Sequence, residues 1–204
     1  MKLLVIGATG MIGSRIVDEA LSRGHEVVGA VRNPDKLRAG VTGVALDIAD
    51  SARLAELAGA ADVTISAVSP RSTGDAEAES AAYADALIAG LAGQRLVLVG
   101  GAGSLNLPDG TPVANVVPEL YAAEAKGMRA AFEKIAASDL DFTVLAPAGL
   151  IEPGARTGAF RLGGRTLLSD AEGNSRITAE DYAVALLDEV ETPKHARQIF
   201  TAAY

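Results

Sequence analysis

The 204-residue chain has no cysteine and no tryptophan, only two histidines, and aromatic residues make up 4% of it. Without cysteine there are no disulfides, CxxC redox centres, thiol nucleophiles or iron–sulfur clusters, and the composition suits a reducing compartment, so a cytoplasmic location is expected. No cluster of His, Asp and Glu has metal-ligand spacing, so no metal is expected. Positive charge is scarce as well: 18 Lys and Arg stand against 26 Asp and Glu, a formal net charge of −8. Such a chain repels phosphate backbones, and no basic run interleaved with aromatics offsets the repulsion, which argues against nucleic acid as the main partner. No apolar run approaches the roughly 18 to 20 residues that a membrane helix needs. The opening Met1-Lys2-Leu3-Leu4-Val5-Ile6 imitates a signal peptide, but glycines and then Arg15 and Asp18 interrupt it before an apolar core is complete. It reads instead as a buried first strand.

What remains is the composition of one acidic globular domain spanning residues 1–204, long enough to bury a core without staples. Short β-branched or Leu-rich runs alternate with Ala-rich amphipathic stretches, the pattern of βαβ units on a parallel sheet. Strands are expected at Lys2–Ile6, Glu26–Val31, Gly43–Leu46, Asp62–Ala67, Arg95–Val99 and Phe142–Leu145. The better runs are apolar almost throughout, as they must be when helices cover both faces. Helices are expected at about Met11–Ser22, Ala52–Ala58, Ala76–Leu91, Glu119–Ser138 and Ala179–Val190, the last with Thr178 as N-cap. Leu105–Pro118, with three prolines and Gly110, reads as a long loop of the kind that often carries function. Two short runs around Gly163-Gly164 give a hairpin signal, and Gln198–Thr201 is expected to return to the sheet edge. The fold class is therefore α/β, a doubly wound parallel sheet with a small C-terminal hairpin.

The first strand runs into Gly7-Ala8-Thr9-Gly10-Met11-Ile12-Gly13. In a strand–loop–helix setting, Gly7 permits the tight turn, Gly10 lets backbone N–H groups approach a diphosphate, and Gly13 lets the helix pack closely on the strand. Helix dipole and unpaired N–H groups can then hold the anion without a basic side chain. This is a dinucleotide-binding arrangement. At the end of the second strand stands Arg32, where an Arg accommodates an adenosine 2′-phosphate and an acid would favour the free hydroxyl, so NADP(H) is expected over NAD(H). Asp47 lies where it can approach the adenine edge, while Asp50 caps the next helix in the alternative reading.

In these residues, and in Arg32-Asn33-Pro34, Leu46-Asp47 and Val99-Gly100-Gly101-Ala102-Gly103-Ser104-Leu105, the chain resembles the atypical, NmrA-like NAD(P)H-binding branch of the short-chain dehydrogenase/reductase superfamily. Its tail, with Arg156-Thr157-Gly158, Tyr182-Ala183-Val184-Ala185-Leu186 and His195-Ala196-Arg197-Gln198-Ile199-Phe200-Thr201, is similar to that of the NADH-flavin reductase group. The resemblance covers nearly the whole chain. It implies a Rossmann sheet of six to seven strands, a nicotinamide cofactor and flavin reduction. The cofactor contacts expected are Gly7, Thr9, Gly10, Met11, Ile12, Gly13, Arg32, Asn33, Asp47, Ile48, Ala67, Val68, Gly101, Ala102, Gly103 and Pro147.

Most short-chain dehydrogenases pair a Tyr with a Lys four residues later, one helical turn on, to protonate a carbonyl. Here Tyr83, Tyr121 and Tyr182 are followed at that spacing by Leu87, Ala125 and Leu186, and Tyr204 ends the sequence. Lys126 lies five residues after Tyr121, about 140° around the axis. Carbonyl reduction, epimerisation and dehydration are weakened by this, whereas hydride transfer to a flavin or another planar acceptor such as a quinone needs only positioning. The cleft lining is expected from Ala67-Val68-Ser69, Gly101–Ser104 and Ala146–Gly149. Ser104 is the catalytic candidate, as a hydrogen-bond donor to the nicotinamide carboxamide or substrate, or else it only closes a turn. His25 and His195 read as structural. A dinucleotide redox sensor without turnover is the competing reading, an epimerase or dehydratase relative a more distant one, and monomer and homodimer both stay open.

Overall fold

Strand β1 (Lys2–Ile6) shows why the sheet forms: Leu3 and Val5 enter one core while Leu4 and Ile6 enter another, so every position after Lys2 must be apolar. The computed structural model describes residues 1–70 and 74–204. After β1 come α1 (Met11–Ser22), β2 (Glu26–Val31), β3 (Thr42–Ala45), α2 (Ser51–Gly59), β4 (Val63–Ser66), α3 (Ala76–Gly90) and β5 (Arg95–Val99). Then follow α4 (Glu119–Ala136), β6 (Asp141–Ala146), β7 (Leu150–Glu152), β8 (Arg161–Gly163), β9 (Arg176–Thr178), α5 (Ala179–Glu191) and β10 (Gln198–Ala203). The main sheet has the order β3-β2-β1-β4-β5-β6-β10-β8, parallel except for β8. A pair of short parallel strands, β7 and β9, lies outside it.

Helices α1 and α5 pack on one face, contributing Ile16, Val17, Tyr182, Leu186 and Leu187 to its core. Helices α2, α3 and α4 cover the other with Leu54, Tyr83, Leu87, Phe132 and Ile135. The doubly wound Rossmann arrangement is as expected, with eight strands rather than six to seven. β10 is not an edge strand: it lies between β6 and β8. Nor does the Gly163-Gly164 turn join two strands of a hairpin. β8 pairs antiparallel with β10, Leu162 opposite Ala202, and so covers that strand's open backbone groups. Residues after the turn find their partners in the long loop, where Asn106 N–H donates to the Arg165 carbonyl at 2.9 Å and Leu167 N–H to the Asn106 carbonyl at 2.8 Å.

Helix termini explain several boundaries. Asp50 accepts from Arg53 N–H at 2.9 Å and caps α2, Asp75 caps α3, and Thr178 accepts from Asp181 N–H at 3.1 Å and caps α5. From β1 the chain moves outward to β2 and β3, then crosses back to β4 on the other side of β1. That reversal opens a crevice at the carboxyl ends of β1 and β4, the usual place for a ligand in an open α/β sheet.

Candidate dinucleotide cleft

At this crevice the backbone of β1 turns through Gly7, whose φ of 79° is left-handed, and a Cβ there would stand 2.7 Å from the Ala67 carbonyl oxygen. A Cβ at Gly13 would overlap the Gly7 carbonyl oxygen. Both glycines are therefore required by backbone packing. Gly10 is different: it is exposed, and a Cβ there meets only the Gly7 carbonyl oxygen, at 3.3 Å. It is the N-cap of α1, with no side-chain cap and no acid in the first turn. Ile12 packs downward on the core while Met11 is exposed. The first turn of α1 thus presents bare N–H groups and the positive end of its dipole, a donor set that fits a diphosphate.

The remaining predicted contacts follow the carboxyl ends of β2, β3, β4, β5 and β6. Arg32 and Asn33 follow β2 and are exposed. Arg32 has no hydrogen bond or ion pair among the described residues, whereas the Asn33 side chain accepts from Asp35 N–H at 3.1 Å and caps a 3-10 turn, Pro34–Lys36. Asp47 and Ile48 follow β3. Asp47 is exposed and accepts from Ala49 N–H at 3.0 Å; Ile48 leans on the core. Ala67 and Val68, after β4, are half-buried, and Ser69 donates to a Glu124 carboxyl oxygen at 3.3 Å, tying β4's end to α4. Pro147 and Ala148 are buried and Gly149 is exposed.

The run after β5 is arranged for packing. A Cβ at Gly100 would stand 2.8 Å from Val144 Cγ1, one at Gly101 3.3 Å from Met128 Cβ, and one at Gly103 2.7 Å from the Ala125 carbonyl oxygen. Gly101 and Gly103 let α4 lie directly on the segment, which leaves Ala102 half-buried beside it. Ser104 departs from expectation. It has 0% exposure and its hydroxyl has no hydrogen-bond partner, because the 3-10 turn Ala102–Ser104 rotates it beneath the segment. Its carbonyl, not its hydroxyl, is engaged, accepting from Arg165 Nε at 3.1 Å. We assign it no catalytic part.

Of the tyrosines, Tyr83 and Tyr182 are fully buried, and burial raises both phenols well above their usual range. Tyr83 shares a hydrogen bond with Ser66 Oγ at 2.6 Å, and Tyr182 donates to the Leu145 carbonyl at 2.6 Å. Tyr204 is bound to Asp181 and Thr178. Tyr121 is exposed near the start of α4, and Lys126, five residues on and so on a different side of the helix, is exposed too. The histidines are structural: His25 pairs with Glu191 at 2.9 Å, and His195 pairs with Glu189 at 2.8 Å while stacking on Phe200. No group able to hold a metal ion occurs among the described residues, and no described helix is long and apolar enough to cross a membrane.

An ionic cluster at the far end of α1 was not foreseen from the sequence. Glu19, 5% exposed, accepts from Arg156 Nε at 2.7 Å and from Arg23 Nε at 2.8 Å. Arg23 also reaches Asp188 and Glu191, both at 2.8 Å. The Arg156 guanidinium, joined by that of Arg23, outweighs the desolvation of burial and holds the Glu19 carboxyl at about 2. Spacing reveals only the Glu19 and Arg23 pair, four residues apart on one helix face.

Comparison with known proteins agrees with this geometry. The chain is 32% identical to the uncharacterised Bacillus subtilis protein YwnB, over 98% of this chain and 97% of that one. It superposes with TM-score 0.89 on a Streptococcus pneumoniae protein provisionally named an NADH-flavin reductase, at 30% identity, covering 100% of this chain and 99% of that one. It superposes equally, at 34% identity, on a Bacteroides thetaiotaomicron protein provisionally named an epimerase, covering 100% and 96% of the two chains. The profile of the NAD(P)H-binding family matches residues 7–193. A bare helix terminus behind three glycines at the sheet's switch point is what such a family needs, and the chain belongs to it.

Proposed function

We propose that this protein is an NADPH-dependent reductase that delivers hydride to a planar, largely apolar acceptor such as a flavin or quinone. One observation carries the choice of acceptor. Of seven exposed large hydrophobic residues among those described, five (Met11, Val116, Leu120, Tyr121 and Leu150) lie on segments leaving the carboxyl ends of β1, β5 and β6. Apolar side chains left exposed along one edge of the sheet are available to a ligand, and here that edge is the one at which the dinucleotide site is proposed. An acceptor with a flat aromatic face would find apolar contacts there.

A bound reduced nicotinamide supplies the hydride. The chain's own task is to hold the diphosphate on the N–H groups of Met11, Ile12 and Gly13, to admit the rings beside Ala67, Val68 and Ala102, and to exclude part of the water. No acid–base pair is required, since water can supply the proton to the reduced acceptor. The epimerase name of the Bacteroides protein is a poor guide for this chain, because none of its tyrosines has the Lys partner. The open Arg32 favours NADPH over NADH. The flavin-reductase name of the Streptococcus protein supports the same reading.

The test measures NADPH and NADH oxidation with FMN, riboflavin and a panel of quinones, alongside equilibrium binding of both dinucleotides. Saturable turnover with NADPH preferred is the expected result. Tight binding with no turnover would replace it with a dinucleotide sensor, and absence of binding would overturn both.

A further inference from the structure

The segment after β5 has no strand ladder to hold it, so its carbonyls need other donors. Those of Gly101 and Ala102 are met within the 3-10 turn, by the N–H groups of Ser104 and Leu105, both at 3.0 Å. Those of the next three residues are met by two arginines. Arg129 Nη1, from α4, donates to the Gly103 carbonyl at 3.3 Å, to Asn106 Oδ1 at 3.1 Å and to the Leu105 carbonyl, which Val113 N–H also reaches, at 3.1 Å. Arg165, which follows β8, donates from Nε to the Ser104 carbonyl at 3.1 Å, 61 positions away in sequence, and lies 5.0 Å from the centre of the Phe132 ring. One Glu133 oxygen holds both guanidinium groups, 3.1 Å from Arg129 Nε and 3.2 Å from Arg165 Nη2. Charge-assisted bonds to three successive carbonyls fix the segment more firmly than turn bonds alone. The conformation they fix is unfavourable for Ser104, whose buried hydroxyl has no partner; rotating the segment would return it to water.

We infer that Arg129, Arg165 and Glu133 are positioning residues: they clamp the Gly101–Ser104 turn in the pose that makes Ala102 a wall at the ring end of the cleft, against the pull of the Ser104 hydroxyl toward water. This rests on the reductase reading above and adds to it the groups that fix how the reduced nicotinamide stands against the acceptor. They act through the carbonyls rather than on the rings. Hydride transfer depends steeply on geometry, and a misplacement of about 1 Å slows such a step by up to on the order of a hundredfold. Affinity is set mainly elsewhere, by the diphosphate on the first turn of α1. Loosening the clamp therefore lowers the rate and spares binding.

The test compares wild type, Arg165→Met, Arg165→Lys and the double variant Arg165→Met with Ser104→Ala. Three quantities are measured: NADPH oxidation with whichever flavin or quinone wild type reduces fastest, equilibrium binding of NADPH, and amide hydrogen exchange of residues 103–106 in the protein without ligand. For Arg165→Met we expect kcat to fall by on the order of tenfold while NADPH affinity stays within about twofold, with faster exchange in the segment. Arg165→Lys should fall between, since an ammonium has no planar fork to span the Ser104 carbonyl and Glu133 together. In the Arg165→Met background, Ser104→Ala should return most of the lost kcat, because it removes the hydroxyl that draws the turn open; a merely structural arginine would show no such rescue. Thermal unfolding midpoints confirm that each variant is folded at the assay temperature. Unchanged kcat in Arg165→Met, or a fall that Ser104→Ala does not relieve, would overturn the proposal with the reductase reading intact. Unaltered exchange in Arg165→Met would overturn the clamp whatever the turnover. A wild type that oxidises NADPH with no acceptor would instead overturn the reductase reading, and this one with it.

Discussion

Helix α1 has two ends built on opposite principles. At its N-terminus there is no side-chain cap and no acid; glycines strip away side chains until the backbone itself is the surface. At its C-terminus Glu19, Arg23, Arg156, Asp188, Glu191 and His25 satisfy one another through side chains from three parts of the chain. One end leaves donors free for a ligand, and the other leaves none. Side-chain ties fix the scaffold so that a bare backbone terminus can be held in place without capping itself. Binding and stability are thereby separable along 12 residues.

The strongest break in this comparison comes from putting a side chain into the open end. Gly13→Val would drive its Cβ into the Gly7 carbonyl and is expected to lower stability by about 3 kcal/mol or more, with dinucleotide binding lost. Gly10→Val should lose binding while its unfolding midpoint stays near wild type, since Gly10 is exposed and meets one backbone oxygen only. Calorimetric unfolding together with dinucleotide titration separates the two. If Gly10→Val kept wild-type affinity, the diphosphate would not lie on this terminus.

At the tied end the pattern reverses. Glu19→Ala removes a buried carboxylate and leaves Arg156 unpaired, but Arg156 is more than half exposed and Arg23 keeps Asp188 and Glu191, so the loss is expected at about 2 to 3 kcal/mol, below the range for a broken buried pair. Dinucleotide affinity should not change. Because the folded carboxyl titrates at about 2, below its ordinary 4.5, its contribution is full above pH 4.5 and disappears as pH falls toward 2. Denaturant unfolding of wild type should therefore weaken through that window, and Glu19→Gln should show a shallower fall. Equal slopes would remove Glu19 from the acid response.

Smaller again is the effect of Arg32→Ala, which belongs to the open end. It should weaken NADPH by about 1.5 to 3 kcal/mol and NADH hardly at all, with no loss of stability, since Arg32 has no hydrogen bond or ion pair among the described residues. Equal losses for the two cofactors would deny it the phosphate.

The open end was legible in the sequence because its information is local. Gly7, Gly10 and Gly13 act through backbone geometry within one strand–turn–helix unit, and β1, α1, β2 and β5 begin and end where propensity and pattern place them. The tied end was not legible, because Glu19 meets Arg156 across 137 positions and only folding brings them together. The C-terminal region misled for the same reason. Two short runs around Gly163-Gly164 satisfy the local rule for a hairpin, yet β8 finds a better partner in β10, and Arg165 to Leu167 find theirs at Asn106. Gly101 and Gly103 look like a second cofactor loop in sequence, and in the fold they are also the contact on which α4 rests.

Ser104 marks the border of the open region, and its removal should have the smallest effect. By sequence it belongs to the cleft, following Gly-Ala-Gly as a hydroxyl available to a carboxamide. In the fold it is wholly buried with an unpaired hydroxyl, so the native state has already lost that group's hydration without a compensating bond. Ser104→Ala takes away a buried polar group that makes nothing, and it is expected to change stability by less than about 1 kcal/mol, in the stabilising direction. NADPH affinity and turnover should stay within about twofold of wild type, roughly 0.4 kcal/mol by the tenfold equivalence of 1.4. A tenfold fall in kcat with retained affinity would show that the 3-10 turn of Ala102 to Ser104 opens in the working enzyme and turns the hydroxyl back into the cleft.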